Sequence, residues 1–376
     1  MNKIEVLTEI RRKIDILTEL IDSSGEFEPR GISAGGKYTA EYSCFYQPGW
    51  TYSFLMGMVG YLYWYTHEEK YLRFLEKAKT AYTRFLWGNT AEIGHDSGFL
   101  YSLYAVMMYR LTGENVYREL ALKAADEVGK RYQFEARHVQ SFYDMRLRGI
   151  TDSVSMLIAD DMMNQCLLMW AYGETGHSFY RSVFTNHIQT TVNYLIRDDF
   201  SVRHAYHFET KTGKPIGETN ICGYAVGSHW SRGTAWIIYG LTKALRFTGE
   251  KEKYLALLEG ITQKFLQELG NDAVPKWDFR IPGNEPVWYD SSAAAICASA
   301  FSEFGLIGVS EKLSERCAKK AEQIFSVLTE APFFGTPEKE YLLCYQNGEG
   351  CLWGDYFFCE LTMKLLHGKE TIDFWI

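Results

Sequence analysis

The residues best suited to chemistry stand where apolar segments begin. His95, Asp96, Ser97, Gly98 and Phe99 lead into one such segment, and Asp160, Asp161, Met162, Met163 and Asn164 lead into the next. An Asp at a helix start is either an N-cap, a solvated charge favoured by the helix dipole, or a carboxylate delivered to a site. Neighbours on a helix diverge by about 100°, so only one of Asp160 and Asp161 can face a given axis. If Asp96 and one of that pair meet in a water-poor cavity, their pKa values separate, giving one acid and one base.

Two further groups follow along the chain. His204 and His207 lie three apart, but residues 203–208, 210–213 and 214–217 read as a β-hairpin, on which i and i+3 face opposite sides. A shared metal is therefore not expected, and His204 reads either as a hydrogen-bond partner facing a cavity or as a structural histidine. Arg232 and Trp236 share a helix face at i,i+4. They form either a carboxylate clamp beside a stacking platform or a structural Arg–Trp stack. Trp277 to Phe279 with Asp290 to Ser292, and Trp353 to Tyr356, look similar and read equally well as caps and packing. Serine nucleophile elbows, phosphate loops and dinucleotide fingerprints are absent.

These residues must be positioned by the segments between them, which repeat. Thr66 with Tyr71, Thr112-Gly113-Glu114 with Tyr117, Thr175-Gly176 with Tyr180, and Thr248-Gly249-Glu250 with Tyr254 punctuate the chain. Each separates two stretches of helical apolar spacing, and glycine after a helix is the expected stop. Weaker copies at 305–312 and at His367-Gly368 bring the count to about six helical hairpins, at intervals of very roughly 45 to 75 residues. The segment before each turn is apolar nearly all round, as in 166–172 or 236–241, and the one after it is amphipathic, as in 254–269. The first kind belongs inside and the second outside. Six inner and six outer helices close most simply into an all-α (α/α)6 barrel; an open solenoid would call for more uniform repeats and polar end caps. The opener, with Ile4, Leu7, Ile10, Ile14, Leu17 and Ile21 in phase, would complete the outer ring. No linker divides the chain, so residues 1–376 read as one domain. The long non-helical stretches 87–98, 133–159, 198–232 and 271–292 join an outer helix to the next inner one and gather on one face, where function is expected.

Composition narrows the partners. With 39 Lys+Arg against 47 Asp+Glu and no basic run, the net charge of -8 speaks against a nucleic-acid surface. An anionic ligand would need a local positive group. Apolar runs stop well short of the roughly 20 residues that span a bilayer, and the first 23 residues lack the apolar core and cleavage site of an export signal. The 8 cysteines form no CxxC pair and read as reduced, buried thiols in a cytoplasmic protein. Aromatic residues make up 16% of the chain, more than packing needs, and such rings suit stacking on sugars.

HDSGFLY at 95–101, IADDMMN at 158–164, WSRGTAW at 230–236, WDF at 277–279 and LWGDY at 352–356, with Trp50-Thr51 ahead of the first inner helix, resemble the unsaturated glucuronyl hydrolases of glycoside hydrolase family 88. The resemblance runs in order through almost the whole chain. It implies an (α/α)6 barrel acting on the Δ4,5-unsaturated uronic acid that a polysaccharide lyase leaves at a non-reducing end. It implies Asp160 as catalytic acid/base, Asp96 as its carboxylate partner, and substrate contacts by Trp50, His204, Arg232 and Trp236. Phe142 stands where the family usually carries a Trp, Ile221 and Cys222 replace a polar pair, and Tyr52-Ser53 replace Asn/Asp-Gly. Those positions line the substrate site in the family. Enol-ether hydration requires no metal or cofactor. The neighbouring readings are an unsaturated rhamnogalacturonyl hydrolase of family 105, a cofactor-free sugar epimerase with His204 and His229 as its bases, and a carbohydrate-binding toroid without activity.

Overall fold

The computed structural model describes residues 1–24, 31–38, 49–87, 94–141 and 155–376. Six segments buried on nearly every side form the inner layer: α2 (Tyr52–Thr66), α5 (Ser97–Tyr101) running through a π-turn into α6 (Met107–Thr112), α8 (Asp161–Thr175), α10 (Ser231–Ala244), α12 (Ser291–Phe301) and α15 (Leu352–His367). Each packs on the next, and α15 packs back on α2, so the ring closes. That closure makes the fold an (α/α)6 barrel rather than a solenoid.

The outer layer is amphipathic: α1 (Lys3–Ser24), α3 (Glu69–Lys77) with α4 (Lys79–Trp87), α7 (Asn115–Gly129), α9 (Ser178–Leu195), α11 (Lys251–Leu269) and α14 (Glu311–Leu328). In α14 the buried residues Leu313, Cys317, Ala321, Ile324 and Leu328 recur at helical spacing. A short α13 (Phe304–Ile307) precedes it. Helix α1 packs on α2 and α15 and completes the ring, although Ile4 of its apolar phase is 57% exposed because it lies in the first turn. Lys13, nearly fully buried, holds α1 to the far end of the chain: its Nζ donates to the carbonyls of Gly335, Thr336, Lys339 and Tyr341 at 3.2, 3.0, 2.8 and 2.7 Å.

The repeated threonines have a physical role. Thr66, Thr112 and Thr175 each donate from Oγ1 to the carbonyl four residues back, at 2.7–2.8 Å, and accept the N–H two residues on. The residue between takes a left-handed φ of 71° at Gly113, 66° at Gly176 and 56° at His67. The fourth copy differs: α10 ends at Ala244, before Thr248, and Gly249 is not left-handed. The repeated tyrosines tie neighbouring outer helices together, Tyr71 OH donating to Asp15 at 2.9 Å and Tyr180 OH to Asp126 at 2.7 Å.

Strand β1 (Met156–Ile158) pairs with β2 (Ala205–Phe208) as Met156 to His207 and Ile158 to Ala205. With β3 (Pro215–Thr219), β2 forms the hairpin of the fourth connection, His207 pairing with Gly217. The sheet therefore ties the third connection to the fourth, just before Asp160.

Candidate active site

Asp96 and Asp160 occupy the residue before α5 and α8, yet neither side chain caps its helix. Asp96 is turned to His95 and Asn164 instead, and Asp160 towards His204. The two helix starts are drawn together at Gly98, where a Cβ would sit 2.4 Å from Asn164 Cα and 2.5 Å from its carbonyl oxygen, so only glycine allows the approach. Asn164 locks the junction: its Oδ1 accepts from Phe99 N at 2.9 Å and its Nδ2 donates to Asp96 Oδ1 at 3.4 Å. His95 Nε2 lies 3.1 Å from Asp96 Oδ1 and 3.8 Å from Asp161 Oδ1.

The adjacent aspartates divide as helix geometry requires. Asp161 is fully buried, its Oδ2 accepting from Ser141 Oγ at 2.6 Å and Ile158 N at 3.1 Å. Asp160 leaves 19% of its side-chain surface open, and its Oδ2 has no hydrogen-bond partner among the described residues. Burial and then the Asp96 charge push the Asp160 carboxyl up from 3.8 to about 7, against the opposing pull of Arg232 and His95. Burial likewise raises Asp161 to about 6, with His95 opposing. Burial works against protonation of His95, but Asp96 and Asp161 outweigh it and leave that imidazole raised.

His204 faces Asp160, its Nε2 4.0 Å from Asp160 Oδ2. Its Nδ1 accepts two backbone N–H groups, from Ile221 at 3.0 Å and Cys222 at 2.9 Å. Burial lowers its pKa to about 4. A neutral ring whose Nδ1 is an acceptor carries its proton on Nε2, so His204 presents an N–H towards Asp160. The ring also leans on Trp230, centroids 4.6 Å apart.

Arg232 sits in an aromatic box, its guanidinium 4.8 Å from the Trp230 ring, 5.1 Å from Tyr345 and 5.4 Å from Trp353. All its hydrogen bonds to described residues leave from Nη1, reaching Asp290 at 2.5 Å, Tyr345 OH at 3.0 Å and Ser292 at 3.4 Å. That leaves Nε and Nη2 for a ligand. Burial alone would weaken its charge, but Asp290 reverses the effect and holds the guanidinium firmly protonated. Asp290 is itself fixed, accepting from Ser292 Oγ at 2.5 Å and capping α12 through Ala293 N at 2.9 Å. Trp50, half-buried, stacks on Trp353 at 5.2 Å. One continuous wall therefore links Trp50, Trp353, Arg232, Trp230, His204 and Asp160.

Not every expected residue joins it. Trp236 is fully buried between Phe99 and Phe357, both 5.4 Å away, so it underlies the site instead of offering a stacking face; Trp230 and Trp353 are the rings beside Arg232. Ser53 is buried and bonded to Tyr82 OH at 2.5 Å and the Leu100 carbonyl at 2.8 Å, away from the wall. Phe142 lies outside the described residues. His229 is buried between Glu268 on α11 and Thr234, each 2.8 Å away, and cannot serve as a base opposite His204. Cys222 is exposed, unlike the buried thiols expected. Sequence reasoning named Asn164, inside the Asp160 motif, without giving it a role, and missed Tyr345 and the N–H groups at 221 and 222, which carried no signal. Among the described residues no cluster of three or more His, Cys, Asp or Glu could hold a metal ion, and no helix is long and apolar enough to cross a membrane.

Comparison with known proteins places the chain in a family. Glycosyl Hydrolase Family 88 matches residues 37–314. The chain belongs to that family. It is a glycosidase. It is 30% identical to the unsaturated chondroitin disaccharide hydrolase of Streptococcus agalactiae, over 98% of this chain and 94% of that one. Among solved structures it resembles an unsaturated glucuronyl hydrolase from the same organism, with a TM-score of 0.87, 27% identity, and coverage of 100% of this chain and 94% of the other. A mutant of that enzyme complexed with dGlcA-GalNAc6S superposes with a TM-score of 0.80 at 27% identity, covering 100% and 94%.

Proposed function

We infer that this family 88 protein releases the Δ4,5-unsaturated uronic acid from the non-reducing end of lyase-generated oligosaccharides by hydrating its C4=C5 enol ether. Residues 1–376 work as one catalytic domain, and the activity belongs to polysaccharide degradation. The observation that carries the reading is Asp160: a carboxyl held near neutrality, at about 7, with an oxygen that described residues leave unbonded. A general acid that must later act as base works best with its pKa near the working pH.

The protonated Asp160 gives its proton to C4, and an oxocarbenium-like centre forms at C5. Water adds at C5 as Asp160 takes back a proton. The resulting hemiketal opens and frees the aglycone sugar. Ionised Asp96 stabilises the cation and keeps Asp160 protonated at the start. Arg232 Nε and Nη2 bind the uronate carboxylate, the local positive charge that a protein of net charge -8 requires. The His204 Nε2–H holds the Asp160 end of the sugar, and Trp50 supplies an apolar face. In ordinary glycosidases, by contrast, two carboxylates flank the scissile bond.

The C=C bond of the substrate absorbs ultraviolet light, and hydration abolishes that absorbance. The intact protein is expected to erase the absorbance of an unsaturated uronyl disaccharide, and Asp160→Asn to lose at least about a thousandfold in kcat. Full activity in Asp160→Asn would remove Asp160 from the acid's role. The epimerase reading would require a second base, and His229 is not available for it.

A further inference from the structure

Segment 371–376 follows α15 back into the ring. Phe374 and Trp375 are fully buried and Ile376 nearly so. The Trp375 ring meets Phe99 of α5 at 5.9 Å, Tyr239 of α10 at 6.0 Å and Phe357 of α15 at 5.8 Å, the last nearly parallel at 11°. These are alternate inner helices, and only the axis of the ring is close to all three. Tyr239 and Phe357 lie further from the mouth than Arg232 and Trp353 on the same helices, so Trp375 fills the axis beneath the site.

Polar ties fix it from below. Its indole N–H donates to Glu360 Oε1 and its backbone N–H to Asp373 Oδ1, each at 3.0 Å. Glu360, itself buried, also accepts from the hydroxyls of Tyr61, Tyr356 and Tyr239 at 3.2, 3.0 and 2.8 Å. Asp373 is paired with Lys243 at 2.9 Å and Arg246 at 3.2 Å, and Lys243 with Glu303 at 2.7 Å. A buried polar network of this kind holds a single geometry, because a member that moves leaves partners unpaired.

Above Trp375 stands the floor of the site. Phe99 and Phe357 are the rings that enclose Trp236. Phe99 is also three residues after Asp96, and its backbone N–H donates to Asn164 Oδ1 at 2.9 Å, the residue whose Nδ2 reaches Asp96. A shift of Phe99 therefore moves Asp96 relative to Asp160. Arg232 depends on the floor less, because Asp290, Tyr345 and Ser292 hold its guanidinium directly.

We propose that Trp375 is a positioning residue of the active site, which through Phe99 holds Asp96 against Asp160 from within the barrel. The kinetic part of its test rests on the hydration activity inferred above. Trp375→Ala removes the ring and lets Phe99 settle towards the gap, whereas Trp375→Phe keeps a ring there and loses the indole N–H. On the full chain, Trp375→Ala is expected to lower kcat about tenfold while KM stays within about threefold. The descending limb of its pH profile is expected to move to lower pH by about half a unit, since a more distant Asp96 raises Asp160 less. Besides Asp96, the charged or titratable groups facing Asp160 are Arg232, His95, Asp161, His204 and Cys222, and none of them shares a ring contact or hydrogen bond with Trp375. Trp375→Phe is expected to restore most of kcat and the midpoint. Carbon-13 NMR titration of the Asp160 carboxyl, assigned with Asp160→Asn, reads the same shift without substrate. A Trp375→Ala protein that circular dichroism shows to be folded, with kcat and Asp160 titration unchanged, overturns the proposal; so does an equal loss in Trp375→Phe. If Trp375→Ala does not fold, Trp375→Leu, which leaves a smaller gap, is judged by the same readings. Absence of turnover on every unsaturated uronide by the unaltered protein removes the activity itself, and the Asp160 titration then decides the role of Trp375.

Discussion

Replacing Asp96 with Asn tests the electrostatics of the site directly. The substitution keeps an oxygen for His95 and Asn164 but removes the charge that, after burial, contributes most to raising Asp160. Asp160 stands roughly three units above its ordinary 3.8, about 4 kcal/mol in favour of the proton at about 1.4 kcal/mol per unit. A unit charge several Å away, at an effective dielectric near 20, accounts for about 2 kcal/mol of such a shift. Loss of a neighbouring negative charge makes ionisation easier, so the Asp160 pKa falls, by about one to two units. His95 opposes this weakly: without Asp96 it too loses part of its raised pKa, and it is the smaller influence on Asp160. With that pKa about half the molecules carry the catalytic proton at pH 7, and activity is expected to decline as pH rises through about 7. In Asp96→Asn that fraction at pH 7 drops to roughly 1–10%, and the descending limb of kcat/KM moves to about pH 5–6. Activity at pH 5 is therefore expected to recover relative to pH 7, on top of a lower ceiling from the lost cation stabilisation. The assay is the pH profile of absorbance loss for both proteins. A descending limb with an unchanged midpoint would refute the claim that Asp96 sets the proton affinity of Asp160.

Two other substitutions probe the supports of the site. Asp290→Asn retains an oxygen to cap α12 but leaves Arg232 without its counter-charge; KM is expected to rise about tenfold with a smaller change in kcat, and steady-state kinetics with an unaltered KM would exclude Asp290 from positioning. Gly98→Ala forces a methyl against the Asn164 backbone, costing about 2 kcal/mol, or roughly 3 °C in Tm for a chain of this length, and it separates Asp96 from Asp160, so kcat is expected to fall more than tenfold; calorimetry and kinetics matching the unaltered protein would contradict the close approach.

The ring was legible because its signals are local. Each Thr bonds within its own turn, and each left-handed residue is a glycine or, at His67, a tolerated exception, so the punctuation survives in one dimension. The carboxylates were legible because every inner helix starts at the mouth, and a residue just before an apolar run is therefore already near the site. Depth was not legible. The i,i+4 spacing of Arg232 and Trp236 gives a shared face but not that Phe99 of α5 and Phe357 of α15 bury the tryptophan beneath it. The hold on His204 comes from backbone N–H groups, which no residue type records. Arg232 is partnered by Asp290, 58 residues later at the cap of another inner helix, and only the packing of the two helices brings them together.

The Lys13 clamp bears on how the molecule forms. Its four carbonyl partners lie 322 to 328 residues downstream, among the longest sequence separations a contact in this chain can span. During synthesis α1 emerges first but has no acceptors for Lys13 until nearly the whole chain has followed. Until then α2, which follows it, can cover only part of its apolar face, and the part that packs on α15 has no partner. Such long-range closure slows folding, although its entropic cost grows only with the logarithm of the loop length. The contacts of Lys13 thus join the two most distant stretches of the ring, and they can form only after both have been made.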